Sequence, residues 1–598
     1  MKVDIDSLRP LLLSVEKPSR YTGGEFGSPA LKESELDFCL CFPDLYEVGM
    51  SNLGIKIVAE SLLKSGFCAD FCFAPAEDFG QGLKKRGVPL YSLGLKKPLA
   101  EFDILGFSMQ FELSYTNLLY MLDLAGIPLL SKDRKNGNYP LITIGGPCAV
   151  NPEPLADFVD LVFIGDGERV DADVARLYLK HGGKTAEFYA AASKLDGVYI
   201  PALTKPVYEN GKIIRFDGIA KVKKAQVQNL DEEVFPETFA VPNCESVHDR
   251  AVIEVMRGCY RGCRFCQAGF IYRPVRPRSV EKLTGQACSL INSTGYNEVS
   301  LNSLSTGDYP DLRGLLKSLK ENLPNGTRLA LPSLRVDSFE GDFAQDSRRV
   351  SLTFAPEAGS QRLRNVINKD ITEEEILRAA ESAFDQGYSA VKLYFMMGLP
   401  TERDEDLKEI GKICAYIKGA YRKKPRKKQL RISVSCSTFI PKPFTPFQWE
   451  EQISKEQMEQ RRRALIDGMK AKGVILNWSD DFTAELEAVL ARGDRKLGKA
   501  ILFAYLNGCI FDGWDNRLNK DGWEKAFGQA GITPRDYTRS RGEDEILPWD
   551  FIDIGVTKKF LLSEKKRAYA GEVTGSCLDS CKGCGMQKSC PAATKQTL

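Results

Sequence analysis

Histidine is almost absent: His181 and His248 are the only two in 598 residues. That excludes a metalloprotease helix, a multi-histidine iron site and a zinc site built mainly on imidazole. No run of roughly 18 uncharged apolar residues occurs, so no transmembrane helix and no membrane partner are expected. Neither sign of charge is in excess, with 82 Lys and Arg against 80 Asp and Glu. A chain so balanced has no global field to draw in nucleic acid or an anionic membrane, so any such contact must be local. The first residues, MKVDIDSLRP, place acids where a signal peptide needs an apolar stretch, so a cytoplasmic location is expected. No sequence repeat of fixed period is found. Hydrophobic residues make up 43% and charged residues 27%, ordinary values for a globular protein. The length predicts about four domains at roughly 150 residues each.

Against these absences stand seventeen cysteines. Disulfides do not persist in a reducing compartment, so clustered cysteines there bind metal or do redox chemistry. Two clusters stand out: Cys259, Cys263 and Cys266, and then Cys577, Cys581, Cys584 and Cys590. The other ten are scattered, and most of them read as small buried hydrophobes.

The chain divides by pattern. Residues 1–36 carry Pro, Gly and Ser and read as an N-terminal arm. Strands predicted at 37–42, 71–73, 102–107, 141–144 and 161–164 alternate with helical segments such as 53–64 and 113–125. That rhythm predicts an α/β, doubly wound (Rossmann-like) parallel-sheet domain over 37–185. Residues 186–250 contain a turn at Asn210-Gly211 between two apolar runs and read as a hairpin linker. A second series follows over 251–449. Its strands are predicted at 252–256, 297–301, 328–331, 351–354, 390–395 and 431–436, and its helices at 280–292, 311–321, 360–367, 373–387 and 404–419. Six such units predict a partial (β/α)6 barrel. Residues 450–570 read as mostly helical, and 571–598 as a cysteine-cluster tail.

The first cysteine cluster reads Met256-Arg-Gly-Cys259-Tyr-Arg-Gly-Cys263-Arg-Phe-Cys266 and sits just past the first barrel strand. Parallel barrels place their active sites at the C-terminal ends of their strands. Three thiolates on one short loop can each bind one iron of a 4Fe–4S cubane, which leaves the fourth iron open to a ligand. A structural zinc needs a fourth ligand, and none lies nearby; Cys288 falls on a predicted helix.

C-x-x-x-C-x-x-C after a first barrel strand resembles the signature of radical S-adenosylmethionine (SAM) enzymes. The resemblance implies that the open iron chelates SAM and that reductive cleavage yields a 5′-deoxyadenosyl radical. It places Phe265 against the adenine. It also implies SAM contacts at the later strand ends: Ser303 and Ser305 in Ser303-Leu-Ser-Thr-Gly-Asp308, Arg335 in Leu331-Pro-Ser-Leu-Arg335, and Glu357 in Phe354-Ala-Pro-Glu357. Lys392 and Gly398 in Lys392-Leu-Tyr-Phe-Met-Met-Gly398-Leu-Pro400 complete that set. The stretch Phe439 to Trp449 ends the barrel. Each motif is weak alone; their order across 250–449 carries the resemblance. Salt-bridge duty inside the barrel remains open for Lys392 and Arg335.

In the N-terminal domain, loops at the C-terminal edge of a parallel sheet are the default ligand site. Here they contain Asp44, Ser51, Asn52 and Gly54, then Ser108, then Gly145 and Gly146, then Gly165 and Gly167. Small residues permit close backbone approach to a bulky cofactor. A dinucleotide reading fails, because Gly165-Asp-Gly167 continues as Glu-Arg-Val170. The layout resembles the cobalamin-binding domain that precedes the radical domain in one branch of the superfamily, and those nine residues are the expected cobalamin contacts. Many such domains supply a histidine to cobalt from the loop after the first strand; this loop has none. The resemblance therefore implies cobalt without a protein imidazole, which suits methyl transfer. A Rossmann-like domain that binds no cobalamin is the alternative.

The closest resemblance overall is to a family of cobalamin-binding-type radical SAM proteins of unassigned substrate, and it extends to Leu547-Pro-Trp-Asp550 and the tail cysteines. Those four thiolates fit either a fully ligated 4Fe–4S cluster or a structural zinc, and the resemblance favours iron–sulfur. The basic run Tyr421-Arg-Lys-Lys-Pro-Arg-Lys-Lys428 reads first as a solvated helix end and leaves an RNA or ribosomal substrate open. The expected function is a cobalamin-dependent methyl transfer to an unactivated carbon, with catalytic residues unassigned and flavodoxin or ferredoxin as reductant. Rearrangement, dehydrogenation or methylthiolation without cobalamin is the rival chemistry. A non-catalytic cofactor-binding regulator or assembly factor is the rival of another class.

Overall fold

The computed structural model describes residues 2–29, 31, 34–135, 137–218, 221–331, 352–425, 428–587 and 590. Its N-terminal sheet has six strands: β1 (Asp37–Phe42), β2 (Cys68–Phe73), β3 (Ile104–Ser108), β4 (Leu141–Gly145), β5 (Leu161–Phe163) and β6 (Val198–Tyr199). Their spatial order is β2-β1-β3-β4-β5-β6. Every pairing is parallel except β5 with β6. β2 starts three residues before the apolar triplet at 71–73, because Cys68 and Ala69 are buried too. Side chains alternate between the two faces of β1. Phe38 and Leu40 enter one core, with the helices Leu53–Lys64 and Gly167–Lys180. Cys39 and Cys41 enter another, where the helix Tyr115–Leu124 packs.

That second core holds residues distant in sequence. Leu8 and Leu11 of the N-terminal arm are buried in it, as are Val489, Ile501, Trp523 and Trp549. The 450–570 stretch thus covers one face of the N-terminal sheet. Eight of the ten scattered cysteines are buried, as expected of small hydrophobes; Cys244 and Cys288 are half-buried.

The linker carries the expected hairpin, β7 (Lys205–Glu209) and β8 (Lys212–Asp217), followed by β9 (Val222–Lys223). The barrel then appears as two arcs. The first comprises β10 (Ala251–Glu254), with β11 (Met256–Arg257) and β12 (Arg276–Pro277) as a short antiparallel pair beyond it, then β13 (Glu298–Asn302) and β14 (Arg328–Ala330). The second comprises β15 (Leu352–Glu357), β16 (Ala390–Met397), β17 (Arg431–Thr438) and β18 (Val474–Trp478), all parallel. All six expected strands are present. β18 adds another, from a stretch read as mostly helical; its short apolar run, Val474-Ile-Leu476, carries no period that separates strand from helix. β19 (Ile552–Asp553) pairs with β9.

The inner face of the second arc is polar. Val391, Leu393 and Phe395 are buried under the outer helices, so Lys392 and Tyr394 face the other way. Across the register, Lys392 stands beside Thr353 and Ser433, and Tyr394 beside Ser435. Half-buried Lys442, past the end of β17, bonds Glu112 at 2.7 Å and Glu487 at 2.9 Å and ties the barrel to both neighbouring regions.

Candidate functional site

The 259–266 loop leaves β11 through Gly258, whose φ is +90° and whose backbone packs under that of Tyr272. Only glycine meets both demands cheaply. The loop turns on itself: Cys266 N–H donates to the Cys263 carbonyl at 3.1 Å, and Arg261 N–H to the Cys259 sulfur at 3.4 Å. Arg261 is paired with Asp308 at 2.6 Å, and Ser305 donates to the same carboxylate at 2.6 Å. Burial, with Cys263 and then Cys259 nearby, pushes the Cys266 thiol up to about 12. A thiolate there calls for a cation, and a bound metal supplies it. Among the described residues no three Cys, His, Asp or Glu side chains stand as a ready-made metal site. The loop's three thiols are the donor set that a three-thiolate cluster requires.

The other expected SAM residues divide. Phe265 packs with Ala358, Leu399, Phe439 and Phe447, bringing the ends of β15, β16 and β17 against the cysteine loop. Gly398 is buried with φ +83°, and its N–H donates to Glu402 at 3.0 Å. Burial pushes that Glu402 carboxyl up to about 7. Lys392 is exposed on the inner face of the barrel. Ser303 lines a cleft shared with the N-terminal domain. Ser305 and Glu357 are turned to internal partners, Asp308 and Lys369 respectively. Arg335 lies outside the described residues.

The shared cleft measures about 340 Å³, at the lower end of ordinary ligand pockets. Its walls are the C-terminal edge and one face of the N-terminal sheet, and Met256, Arg257, Gly258 and Ser303 of the barrel. Seven of the nine expected cobalamin residues line it: Asn52, Gly54, Ser108, Gly145, Gly146, Gly165 and Gly167. Gly165 has φ +105°, and a Cβ there would stand 2.1 Å from the Ala225 carbonyl oxygen. Asp44 and Ser51 do not line it. Asp44 accepts from Trp514 Nε1 at 3.0 Å, and Ser51 donates to the Glu47 carbonyl at 2.8 Å. Short polar side chains in loops readily satisfy backbone and neighbour groups in this way. His248 meets the same loop from outside, its backbone N–H donating to Ser51 at 3.1 Å. Neither histidine is among the cleft-lining residues.

An ion network locks the cleft, and the sequence did not point to it. Arg257 contacts Asp166 at 2.9 Å, Glu168 at 2.6 Å and Glu254 at 3.0 Å. Asp166 is also bonded to Arg276 and accepts from Val227 N–H at 2.9 Å. Although burial opposes it, Arg257 and Arg276 hold the Asp166 carboxyl well below the usual range. Asp171, buried in the same wall beside Glu168, is held well above it by desolvation. A signal was present: an acidic Gly165-Asp-Gly-Glu168 loop and an arginine two residues before the first cluster cysteine.

The tail returns to the cysteine loop. Cys577 N–H donates to the Tyr260 carbonyl at 3.0 Å. Arg264, fully buried, bonds Glu564 at 3.1 Å and the Glu572 carbonyl at 2.9 Å. Asn368 donates to the Gly262 carbonyl at 3.1 Å and the Thr574 carbonyl at 3.0 Å. In the basic run, Lys423 and Lys424 pair with Glu381 and Asp385, so this part is a solvated face. No helix among the described residues is long and apolar enough to cross a membrane.

A Rossmann-like sheet facing a parallel half-barrel, with three cysteines past the first barrel strand, defines a class of SAM-cleaving iron–sulfur proteins. Residues 54–201 match the family described as radical SAM proteins, N-terminal, and residues 253–414 match the radical SAM superfamily. The chain belongs to the radical SAM superfamily, whose chemistry uses a 4Fe–4S cluster and SAM. It is 29% identical over 464 residues to an uncharacterized protein of Methanocaldococcus jannaschii, covering 77% of this chain and 89% of that one. It is 25% identical over 330 residues to a tRNA-2-methylthio-N(6)-dimethylallyladenosine synthase of Pelotomaculum thermopropionicum, covering 50% and 68%. Among solved structures it is similar to the radical SAM methyltransferase TsrM of Kitasatospora setae, with cobalamin and a [4Fe-4S] cluster bound. There the TM-score is 0.45 at 12% identity, covering 68% of this chain and 75% of that one.

Proposed function

We propose that this radical SAM enzyme is a cobalamin-dependent methyltransferase acting on an unactivated carbon. The observation that carries the reading is the shared cleft: the small-residue edge of the N-terminal sheet and the barrel loops beside the cysteine motif wall one cavity. A methyl carrier seated on the sheet edge and a radical made at the barrel mouth would then act on one substrate between them. Cys259, Cys263 and Cys266 would hold the cluster. Phe265, Ser303, Lys392 and Gly398 would contact SAM, and the seven cleft residues would contact cobalamin. When bound, cobalamin supplies a transferable methyl group.

The protein's own share is position and environment. Arg257 and Arg276, held by Asp166, fix the sheet edge against the barrel. Phe38, Leu40, Phe107 and Phe163 make much of the wall apolar and exclude water from a reactive radical. Asp171 adds a buried carboxyl to the cleft wall. With no imidazole among the lining residues, the cobalt face toward the protein would carry no histidine nitrogen.

The test is product analysis of anaerobically reconstituted protein with cobalamin, SAM and a reductant of the flavodoxin or ferredoxin class. Release of both 5′-deoxyadenosine and S-adenosylhomocysteine is expected. 5′-Deoxyadenosine without S-adenosylhomocysteine would leave radical chemistry but remove methyl transfer. A nitrogen-ligated cobalt spectrum, or no cobalamin uptake, would remove the cleft assignment. A second reading, methylthiolation, draws support from the methylthiotransferase relatives; a sulfur-bearing product would identify it. The name of the tRNA-modifying relative makes a tRNA the first substrate class to profile.

A further inference from the structure

We infer that Cys577, Cys581, Cys584 and Cys590 hold a second 4Fe–4S cluster, and that the electron for SAM cleavage enters the enzyme through it. The inference rests on the radical SAM assignment and is independent of cobalamin and of methyl transfer.

The four thiols are neighbours on the tail, although among the described residues no three of them already stand at metal-site spacing. Cys581, Cys584 and Cys590 all lie close enough to Cys577 to act on it electrostatically, and Cys577 and Cys590 both act on the Tyr260 phenol. Cys577 packs against the first-arc core that contains Tyr260, and Cys584 against the core of the N-terminal sheet. Gly583 and Gly585 have φ +70° and +116°, which lets the backbone wrap between successive ligands. Four thiolates satisfy a cubane completely and leave no iron open. This set is therefore suited to electron transfer and not to chelating SAM.

Four cysteines also fit zinc, and position decides between them. A structural zinc would pin the tail, but the tail is already pinned. Arg264 and Asn368 clamp it at Glu572 and Thr574, and Thr557 N–H donates to the Cys584 carbonyl at 3.0 Å. What the docking achieves instead is contact with the SAM-cluster loop. The Cys577 N–H to Tyr260 carbonyl bond joins the residue next to Cys259 to a tail ligand, giving a path of one hydrogen bond and a few covalent bonds. At the outer end Cys581 is exposed, where a protein donor can dock. The site thus has a solvent-facing ligand and a ligand against the first cluster's loop.

The electron count closes. A one-electron carrier of the flavodoxin or ferredoxin class is oxidised, and its electron reduces the tail cluster. The same electron then passes to the cluster at 259–266 and into the sulfonium–C5′ bond of SAM. That bond breaks to give methionine and the 5′-deoxyadenosyl radical, and both clusters return to their oxidised state.

The experiment compares the reconstituted full-length protein with its Cys581→Ala, Cys584→Ala variant. Iron, zinc and electron paramagnetic resonance are measured, together with SAM cleavage driven by reduced flavodoxin and, separately, by dithionite. The wild type should carry about eight irons and the variant about four, with one of two reduced-cluster signals lost. Flavodoxin-driven cleavage should fall far more than dithionite-driven cleavage, because a small reductant can reach the first cluster directly. Loss of zinc with iron unchanged would overturn the cluster. Equal losses with both reductants, or none, would overturn the entry role. The metal count and spectra do not depend on turnover, so they stand apart from any failure of the methyl-transfer reading. Should the alanine pair fail to fold, the single Cys581→Ser change at the exposed ligand gives the same readouts.

Discussion

The loop at 259–266 and the tail at 577–584 carry the same C-x-x-x-C-x-x-C spacing in opposite settings. The loop is fixed at both ends by secondary structure, β11 before it and the helix Ala268–Ile271 after it. It opens at the C-terminal end of a barrel strand, where ligand sites form. The tail follows the helix Lys558–Ala570 without a strand, near the end of the chain, and owes its place to side-chain clamps. Spacing therefore sets how many thiolates one short segment can offer, while the surrounding fold sets what they do. Three thiolates beside a cleft would leave an iron for substrate; a fourth, Cys590, would close the tail set in the inferred second cluster.

The sharpest way to break the comparison is to remove the loop's ligands. Cys259→Ala, Cys263→Ala and Cys266→Ala together should abolish reductive SAM cleavage, followed as 5′-deoxyadenosine and methionine release. Residual cleavage near the wild-type rate would mean that these three thiols are not the SAM-cluster ligands. The next effect concerns the clamp. Arg264 and Glu564 are both buried, at 0% and 3% side-chain exposure. Removing one partner of such a pair leaves an uncompensated charge and typically costs about 3–5 kcal/mol. Arg264→Leu should lower the unfolding free energy by about that amount and make the tail cysteines react faster with a thiol reagent. If stability falls but tail reactivity does not change, the arginine holds the barrel alone and the tail is docked by other contacts.

How much of this was legible in the sequence follows from what each signal depends on. The six barrel strands and the N-terminal rhythm were readable because fully buried parallel strands are short apolar runs separated by amphipathic helices. The cysteine loop was readable because its ligands are adjacent in sequence. β18 was missed because its apolar run, Val474-Ile-Leu476, is too short to show a diagnostic period. Asp44 and Ser51 fall outside the cleft lining because a sheet-edge loop turns some side chains inward and others to neighbours such as Trp514. Arg257, Arg276 and Asp166 escaped notice because their meaning lies in a long-range contact, 91 residues apart for Asp166 and Arg257. The docking of the tail is of the same kind: Cys577 and Tyr260 meet across the whole barrel.

The smallest expected effect sharpens the comparison most cleanly. Cys581 is exposed, so in the metal-free protein Cys581→Ser should shift the unfolding free energy by no more than about 0.5 kcal/mol, as surface substitutions do. In the metal-loaded protein the same change deletes a ligand. Metal binding to the folded state alone adds stability by mass action, so loaded wild type should melt above loaded Cys581→Ser while the two apo proteins coincide. The measurement is a thermal melt of the four samples under anaerobic conditions. Coincident melts in both states would show that this thiol holds no metal, and the likeness of spacing between loop and tail would then carry no likeness of chemistry. A gap already present in the apo pair would instead assign Cys581 a packing role and separate the tail from the loop on structural grounds.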